Sequence, residues 1–204
     1  TEFGKQVATD CGYTGPSEIV SHGCDTSLYR QIDKMDARRA VGLAFKMRDD
    51  TFVIGNVNRN QPRKRLDLSI MFFAEWVKRN KIKKGDAFLY LHCAMSDIGW
   101  DLPQLAMYYG VDAYLSMPKQ DSMNRVYGVT EDNMHYFYNA FDLQISTTQG
   151  EGWGLPTMEG MACGVPQLVP DFAALAEWPR SGDGGDCVDY YDCQGFAATP
   201  GNLN

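Results

Sequence analysis

The chain has 204 residues, 44% hydrophobic and 22% charged, which fits an ordinary globular protein and excludes collagen-like, low-complexity and largely disordered chains. No uninterrupted apolar run approaches the roughly 18 residues that span a bilayer, so no transmembrane segment is expected. The net charge of −7 is unevenly spread, with 15 of the 19 Lys and Arg in residues 30–84 and 16 of the 26 acids in residues 85–204; a local anion site follows from this better than a general affinity for nucleic acid. The opening TEFGKQVATDCGY has no signal-peptide pattern and no Met, so the chain is expected to be a piece of a longer protein.

In chain order, residues 2–10 are predicted as a short helix, followed by turn chemistry at Gly12, Gly15 and Pro16. Glu18 to Ser21 reads as a short extended segment, and Asp33 to Val41 as a helix. An alternation then begins. Thr51 to Gly55 is an apolar run, hence a buried strand. Leu66 to Lys81 places Leu66, Ile70, Phe73, Trp76 and Val77 at helical spacing. Ala87 to Leu91 is a second strand, Leu102 to Tyr109 a helix and Asp112 to Met117 a third strand. Thr130, Glu131 and Asp132 open a helix to about Ala140, and Leu143 to Ser146 is a fourth strand. Pro156 to Cys163 is a helix ending at Gly164, with Pro156 suited to its first turn. Gln167 to Val169 is a fifth strand and Phe172 to Trp178 a last short helix, before a Gly- and Asp-rich tail that reads as loop. Alternating strands and helices predict an α/β fold with a mainly parallel sheet. The six cysteines form no C-x-x-C and read as reduced thiols of a cytoplasmic protein, a Cys187–Cys193 bridge being the alternative.

Open parallel sheets bind ligands beyond the carboxyl ends of their strands. Two such loops stand out. Asn56 to Arg65 carries Arg59, Arg63, Lys64 and Arg65. Thr147 to Glu159 pairs Gly152 and Gly154, which let backbone amides approach a ligand, with a helix start whose free N–H groups and dipole suit phosphate. Arg59 as a planar fork and Lys64 as a mobile point charge supply the cations a diphosphate needs. Glu151 and Glu159, eight residues apart, can accept hydrogen bonds from different hydroxyl-bearing parts of one ligand.

The segment from Glu151 through Gly152, Trp153, Gly154 and Leu155 to Glu159 and Pro166 closely resembles the E-x7-E signature of the family 4 retaining, nucleotide-sugar-dependent glycosyltransferases. Three shorter stretches agree. Ser21-His22-Gly23-Cys24-Asp25 is similar to that family's N-G-x-D hinge motif, with His22 for Asn. Asn58-Arg59 to Lys64-Arg65 is similar to its G-R-x4-K-G loop, with Asn58 and Arg65 at the glycine positions. Tyr138-Asn139-Ala140-Phe141-Asp142 is similar to its Y-x-x-A-D, with Phe141 filling one spacing position. The resemblance covers roughly residues 15–178. It implies a Rossmann-like domain with helices on both faces of the sheet, one half of a GT-B fold. Residues 1–24 would be a hinge piece and 25–204 the donor-binding domain, with the N-terminal acceptor domain missing.

By position, the resemblance assigns Glu151 to hydroxyls of the transferred sugar, and the amides of Gly152, Trp153, Gly154 and Leu155 to sugar and diphosphate. Arg59 and Lys64 would hold the diphosphate and stabilise its charge as the glycosidic bond breaks; Glu159 would take the ribose, and the base would lie against Val126–Val129. Glu151, Arg59 and Lys64 are thus the candidate catalytic residues. No D-x-D occurs in the chain, so no metal and no cofactor beyond the nucleoside diphosphate sugar is expected, cations and a helix N-terminus taking the metal's place. The related alternatives are a GT-B epimerase or phosphorylase and a non-catalytic nucleotide-sugar-binding module. Other readings are weaker. Arg63-Lys64-Arg65 lacks the interleaved aromatics of a nucleic-acid patch. Gly152-x-Gly154 lacks the third glycine of a dinucleotide fingerprint, Thr157 standing there, although Asp171 lies at a suitable distance. His22, His92 and His135 share no metal-ligand spacing, and Asp183, Asp186, Asp189 and Asp192 match no EF-hand loop.

Overall fold

The computed structural model describes residues 1–43, 47–94, 97–118 and 128–177. The acidic tail with Cys187 and Cys193, Trp178, and Val126 of the expected base-binding segment lie outside them.

Five strands, β1 (Phe52–Val57), β2 (Ala87–His92), β3 (Leu115–Ser116), β4 (Leu143–Ile145) and β5 (Gln167–Leu168), form one sheet in the order β3-β2-β1-β4-β5. Every neighbouring pair is parallel. Each crossover therefore needs a covering element, and the helices supply it: α2 (Lys34–Ala40), α3 (Leu66–Asn80), α4 (Leu102–Tyr109), α5 (Glu131–Asn139) and α6 (Leu155–Ala162), with α1 (Glu2–Asp10) ahead of them.

Side chains alternate across a strand, and the two cores follow that rule. Ile54, Leu89 and Leu91 face Leu66, Ile70, Phe73 and Val77 of α3 and Leu102 and Ala106 of α4. Val53, Val57 and Tyr90 face the other way, toward Ala37, Tyr138, Ala140, Phe141 and Cys163. Helices cover both faces, as expected. Each fully buried residue such as Ile70 contributes about 1.5–3 kcal/mol of apolar burial. Gly55 belongs to the second face, and its lack of a side chain is required. A Cβ there would fall 2.2 Å from the Phe141 ring, and Phe141 is itself buried. The residue that departs from the Y-x-x-A-D pattern, Phe141, is thus the one seated on Gly55.

Arg38 is almost fully buried, but its guanidinium is satisfied. Nε donates to the Ala140 carbonyl at 3.1 Å, Nη1 to the Asp49 carbonyl at 3.1 Å and Nη2 to Asp142 Oδ2 at 2.7 Å. The same Asp142 oxygen accepts the Val53 amide at 2.7 Å, which ties α2, β1 and the entry to β4 together. α1 buries none of its residues; the Glu177 carboxylate accepts the free amides of Glu2 and Phe3 at its N-terminus, at 3.1 and 2.8 Å.

Some elements differ from the sequence reading. Glu18 to Ser21 joins no sheet and Val20 is 85% exposed, because nothing pairs with its backbone. The third strand candidate begins as a 3-10 turn over Asp112–Tyr114, and only Leu115–Ser116 reach β2. The last helix is a 3-10 turn, Ala173–Ala176. Thr130 stands at the N-cap of α5 but makes no side-chain cap bond; its Oγ1 accepts from Asn133 Nδ2 instead. β1 runs on to Val57, so Asn56 is a strand residue and the loop begins at Asn58.

Candidate functional site

β1 sits between β2 and β4, so the strand order reverses direction there, and the loops leaving β1 and β4 open a crevice at their carboxyl ends. After β1, Pro62–Lys64 form a 3-10 turn. Arg65 then takes a left-handed conformation, φ 49 and ψ 46, and α3 starts at Leu66. After β4, Gly154 at φ 89 turns the chain into α6. The loops are laced together: the Gln149 amide donates to the Arg63 carbonyl at 2.8 Å, Thr148 Oγ1 donates to the same carbonyl at 3.3 Å, and Arg63 Nη1 donates to the Gly150 carbonyl at 3.2 Å.

This lacing brings Lys64 and Glu151 into direct contact. Lys64 Nζ donates to Glu151 Oε1, with side-chain exposures of 9% and 14%. Arg63 Nη1 lies 3.5 Å from Glu151 Oε2 and is 54% exposed at its side chain. Two cations therefore converge on one carboxylate where water is scarce, and charge interactions are stronger there than at an open surface. The sequence reading assigned Lys64 and Glu151 to different parts of a ligand and gave Arg63 no role; the basic run Arg63-Lys64-Arg65 was the signal for it.

The other candidates are placed around this pair. Gly152 is exposed with open space about it, and Gly154 caps α6, where Leu155 and Pro156 begin the helix. The Trp153 ring meets His22 edge-on at 5.4 Å, so the hinge-like segment touches the signature loop. Arg59 points elsewhere. Its Nε and Nη2 donate to Asp97 Oδ2 at 3.2 and 3.1 Å, and its side chain is 65% exposed. Asp97 comes from the loop after β2, and no spacing in the sequence links it to Arg59.

Glu159 faces the opposite core, where Tyr138 Oη donates to its Oε2. Burial raises the Glu159 carboxyl above its ordinary value and the charge of Glu131 adds to this, against the lowering effect of the Tyr138 bond. Tyr29 packs edge-on against Tyr138 at 5.9 Å, and burial followed by the charge of Glu159 pushes its hydroxyl up to about 12. Tyr138 was visible only as a motif residue; its contact with Glu159 was not read. An apolar cavity of about 220 Å³ lies beside the crevice, between Leu68 and Phe72 of α3, Leu168 of β5, and Pro170 and Phe172 beyond it. Its lining suits hydrocarbon rather than a diphosphate. Among the described residues, no group of three or more His, Cys, Asp or Glu is placed to hold a metal ion, and no helix is long and apolar enough to cross a membrane.

Residues 108–203, including the whole β4–α6 loop, match the family described as glycosyl transferases group 1. Over that stretch, just under half of its length, the chain is similar to a glycosyl transferases group 1 domain. A D-inositol 3-phosphate glycosyltransferase from Acidothermus cellulolyticus is 28% identical over 190 residues, 91% of this chain and 40% of that protein. The chain thus spans about two fifths of the length of that curated relative. Sucrose-phosphate synthase from Thermosynechococcus elongatus superimposes with a TM-score of 0.68 at 16% identity, over 86% of this chain and 40% of that one. The C-terminal domain of a glycosyl transferase group 1 family protein (LpcC) from Francisella tularensis gives 0.55 at 16% identity, over 73% and 71%. At such identities these likenesses show the fold: a Rossmann-like sheet of the kind found in GT-B glycosyltransferases.

Proposed function

We propose that this domain is the donor-binding half of a cytoplasmic glycosyltransferase that moves a hexose from a nucleoside diphosphate sugar to an acceptor hydroxyl with retention of configuration. The observation that carries this reading is the convergence of Lys64 and Arg63 on Glu151 at the β1–β4 crevice, beside the N-terminus of α6. Lys64 and Glu151 satisfy each other. An incoming diphosphate offers Lys64 another anion and releases Glu151 to accept hydrogen bonds from sugar hydroxyls. Arg63 flanks the diphosphate and Arg59 exchanges Asp97 for it, the amides of Gly152 to Leu155 complete an oxyanion cradle, and Glu159 takes the ribose hydroxyls. Cationic side chains and backbone amides aimed at the leaving diphosphate do the work a metal ion does elsewhere. The acceptor and its positioning belong to the N-terminal domain.

The test is calorimetric titration of the 204-residue chain with UDP, GDP and ADP and their nucleosides in EDTA. Binding of one diphosphate at roughly 10 µM to 1 mM is expected, as suits one wall of a cleft. Lys64→Ala or Arg59→Ala should each lower that affinity about 10- to 150-fold and spare the nucleoside. Glu159→Ala should weaken the bare diphosphate, whereas Glu151→Ala should weaken only the intact nucleotide sugar. Binding that appears only with Mg²⁺ or Mn²⁺, or equal losses for nucleoside and diphosphate, would overturn the reading.

A further inference from the structure

A line of side-chain hydrogen bonds runs beneath the crevice. Asn58 Nδ2 donates to Asn56 Oδ1 at 2.8 Å, and Asn56 Nδ2 donates to Ser69 Oγ at 2.9 Å. Ser69 Oγ lies 2.7 Å from Thr147 Oγ1. Thr147 Oγ1 in turn donates to the Arg65 carbonyl at 2.7 Å, with the Lys64 carbonyl at 3.3 Å. A hydroxyl carries one proton. The Thr147 proton is committed to the backbone carbonyls, so Ser69 donates to Thr147 and its lone pairs receive the Asn56 amide. The whole line therefore points one way, from Asn58 to the carbonyl of Arg65.

Two features single this line out. Asn56 and Ser69 are 1% and 0% exposed, and Asn56 sits in the strand between Gly55 and Val57, where Asn is disfavoured and an apolar residue would pack at least as well. The line also ends on the one residue of the loop that holds a left-handed conformation without being glycine, Arg65, immediately after Lys64. Such a conformation persists only where its surroundings over-determine it. Its carbonyl is fixed from α3 and the β4 loop at once, and this fixes the direction in which the Lys64 side chain leaves the turn.

Resting on the donor-site reading above, we propose that Asn56, Ser69 and Thr147 are positioning residues: they clamp the Arg65 carbonyl and so hold Lys64 at the crevice, facing Glu151 when the site is empty and the diphosphate when it is filled. They touch no ligand themselves. The clamp substitutes for the backbone freedom that glycine at position 65 would give, by holding a less forgiving residue in one place.

Two readouts test this in the full chain. In ligand-free urea unfolding, a double-mutant cycle of Thr147→Val and Glu151→Gln should be non-additive, the double variant losing less than the sum of the single losses. In calorimetry, Thr147→Val should weaken the diphosphate about five- to tenfold while sparing its nucleoside, as misalignment of the Lys64 contact, short of its complete loss, predicts. Thr147→Ser should restore the diphosphate, and Arg65→Gly should recover part of it in the Thr147→Val background. Should Thr147→Val not fold, Asn58→Gly removes only the partly exposed first member and should act in the same direction at about twofold. An additive cycle, or a fall in melting temperature with an unchanged ratio of diphosphate to nucleoside affinity, would overturn the proposal. If the unaltered chain shows no preference for any diphosphate over its nucleoside, the donor-site reading fails instead, and the ligand-free cycle alone decides the clamp.

Discussion

The charge pair at the crevice should be asymmetric under mutation, and the structure sets the order. Glu151→Gln keeps the shape of the side chain and removes its charge. Lys64, with only 9% of its side chain exposed and Glu151 as its described ion-pair partner, is then left as a poorly hydrated ammonium. Losing one partner of a buried pair costs about 3–5 kcal/mol. The 14% exposure of the carboxylate site and the remaining amide oxygen reduce this to about 2 kcal/mol. Lys64→Met is milder. Glu151 keeps Arg63 at 3.5 Å, and that guanidinium is half in water, so the loss is about 1 kcal/mol. Urea unfolding followed by far-UV circular dichroism measures both variants, and at about 2–4 °C per kcal/mol for a chain of this size the melting temperatures should differ visibly. Adding Arg63→Ala should remove the difference, because Glu151 then loses its second cation. Equal losses for the two single variants, or a larger one for Lys64→Met, would refute the reasoning.

Two further outcomes follow from the core. Gly55→Ala places a methyl 2.2–2.5 Å from three atoms of the Phe141 ring and should destabilise the chain by about 3 kcal/mol, an overpacking cost that Phe141→Leu should partly relieve in chemical denaturation. His92 is buried at the end of β2, and burial alone lowers its pKa from 6.5 to about 4. The unfolded chain therefore takes up the proton first, so stability should fall as pH drops from 6.5 to 4, by up to about 3 kcal/mol. Glu159, raised by burial, acts in the opposite sense over its own range, binding its proton more readily when folded. The His92 contribution is thus read as the difference between the chain and His92→Gln, measured as urea midpoints at pH 7 and 4.5; parallel slopes would contradict it.

The sequence exposed those parts of the fold that local chemistry determines. α4 has the predicted bounds because Asp101 caps it, Pro103 sits in its first turn and Gly110 ends it in the left-handed region. The apolar spacing of Leu66, Ile70, Phe73 and Val77 placed α3 against the sheet in the same way. The signature loop was legible as a segment, with its glycines and both glutamates. What stayed hidden was which side chains meet across distance. Lys64 and Glu151 are 87 residues apart, Arg59 and Asp97 lie on loops after different strands, and Tyr138 reaches Glu159 from another helix. The strand order decides those meetings, and no periodicity records it. The 3-10 turn at Asp112–Tyr114 was hidden for a related reason: β3 is a strand only as far as β2 offers it hydrogen bonds.

The reversal of strand order at β1 also governs when the site comes into being. β1 first meets β2, Phe52 opposite Ala87, across one helix of intervening chain. It meets β4, Ile54 opposite Leu143, only after a much longer stretch of chain that includes α4, β3 and α5. Closing the longer loop costs about 0.8 kcal/mol more chain entropy than closing the shorter, and such distant pairings are slow to form. The β1–α3–β2 unit can therefore collapse with Lys64 already in its turn but facing no carboxylate. Docking of β4 then delivers Glu151 and Thr147 together, so the crevice is completed in the same event that joins the two halves of the sheet. An anion that recognises the crevice recognises the finished sheet, and its binding favours the joined chain over the half-assembled one by mass action.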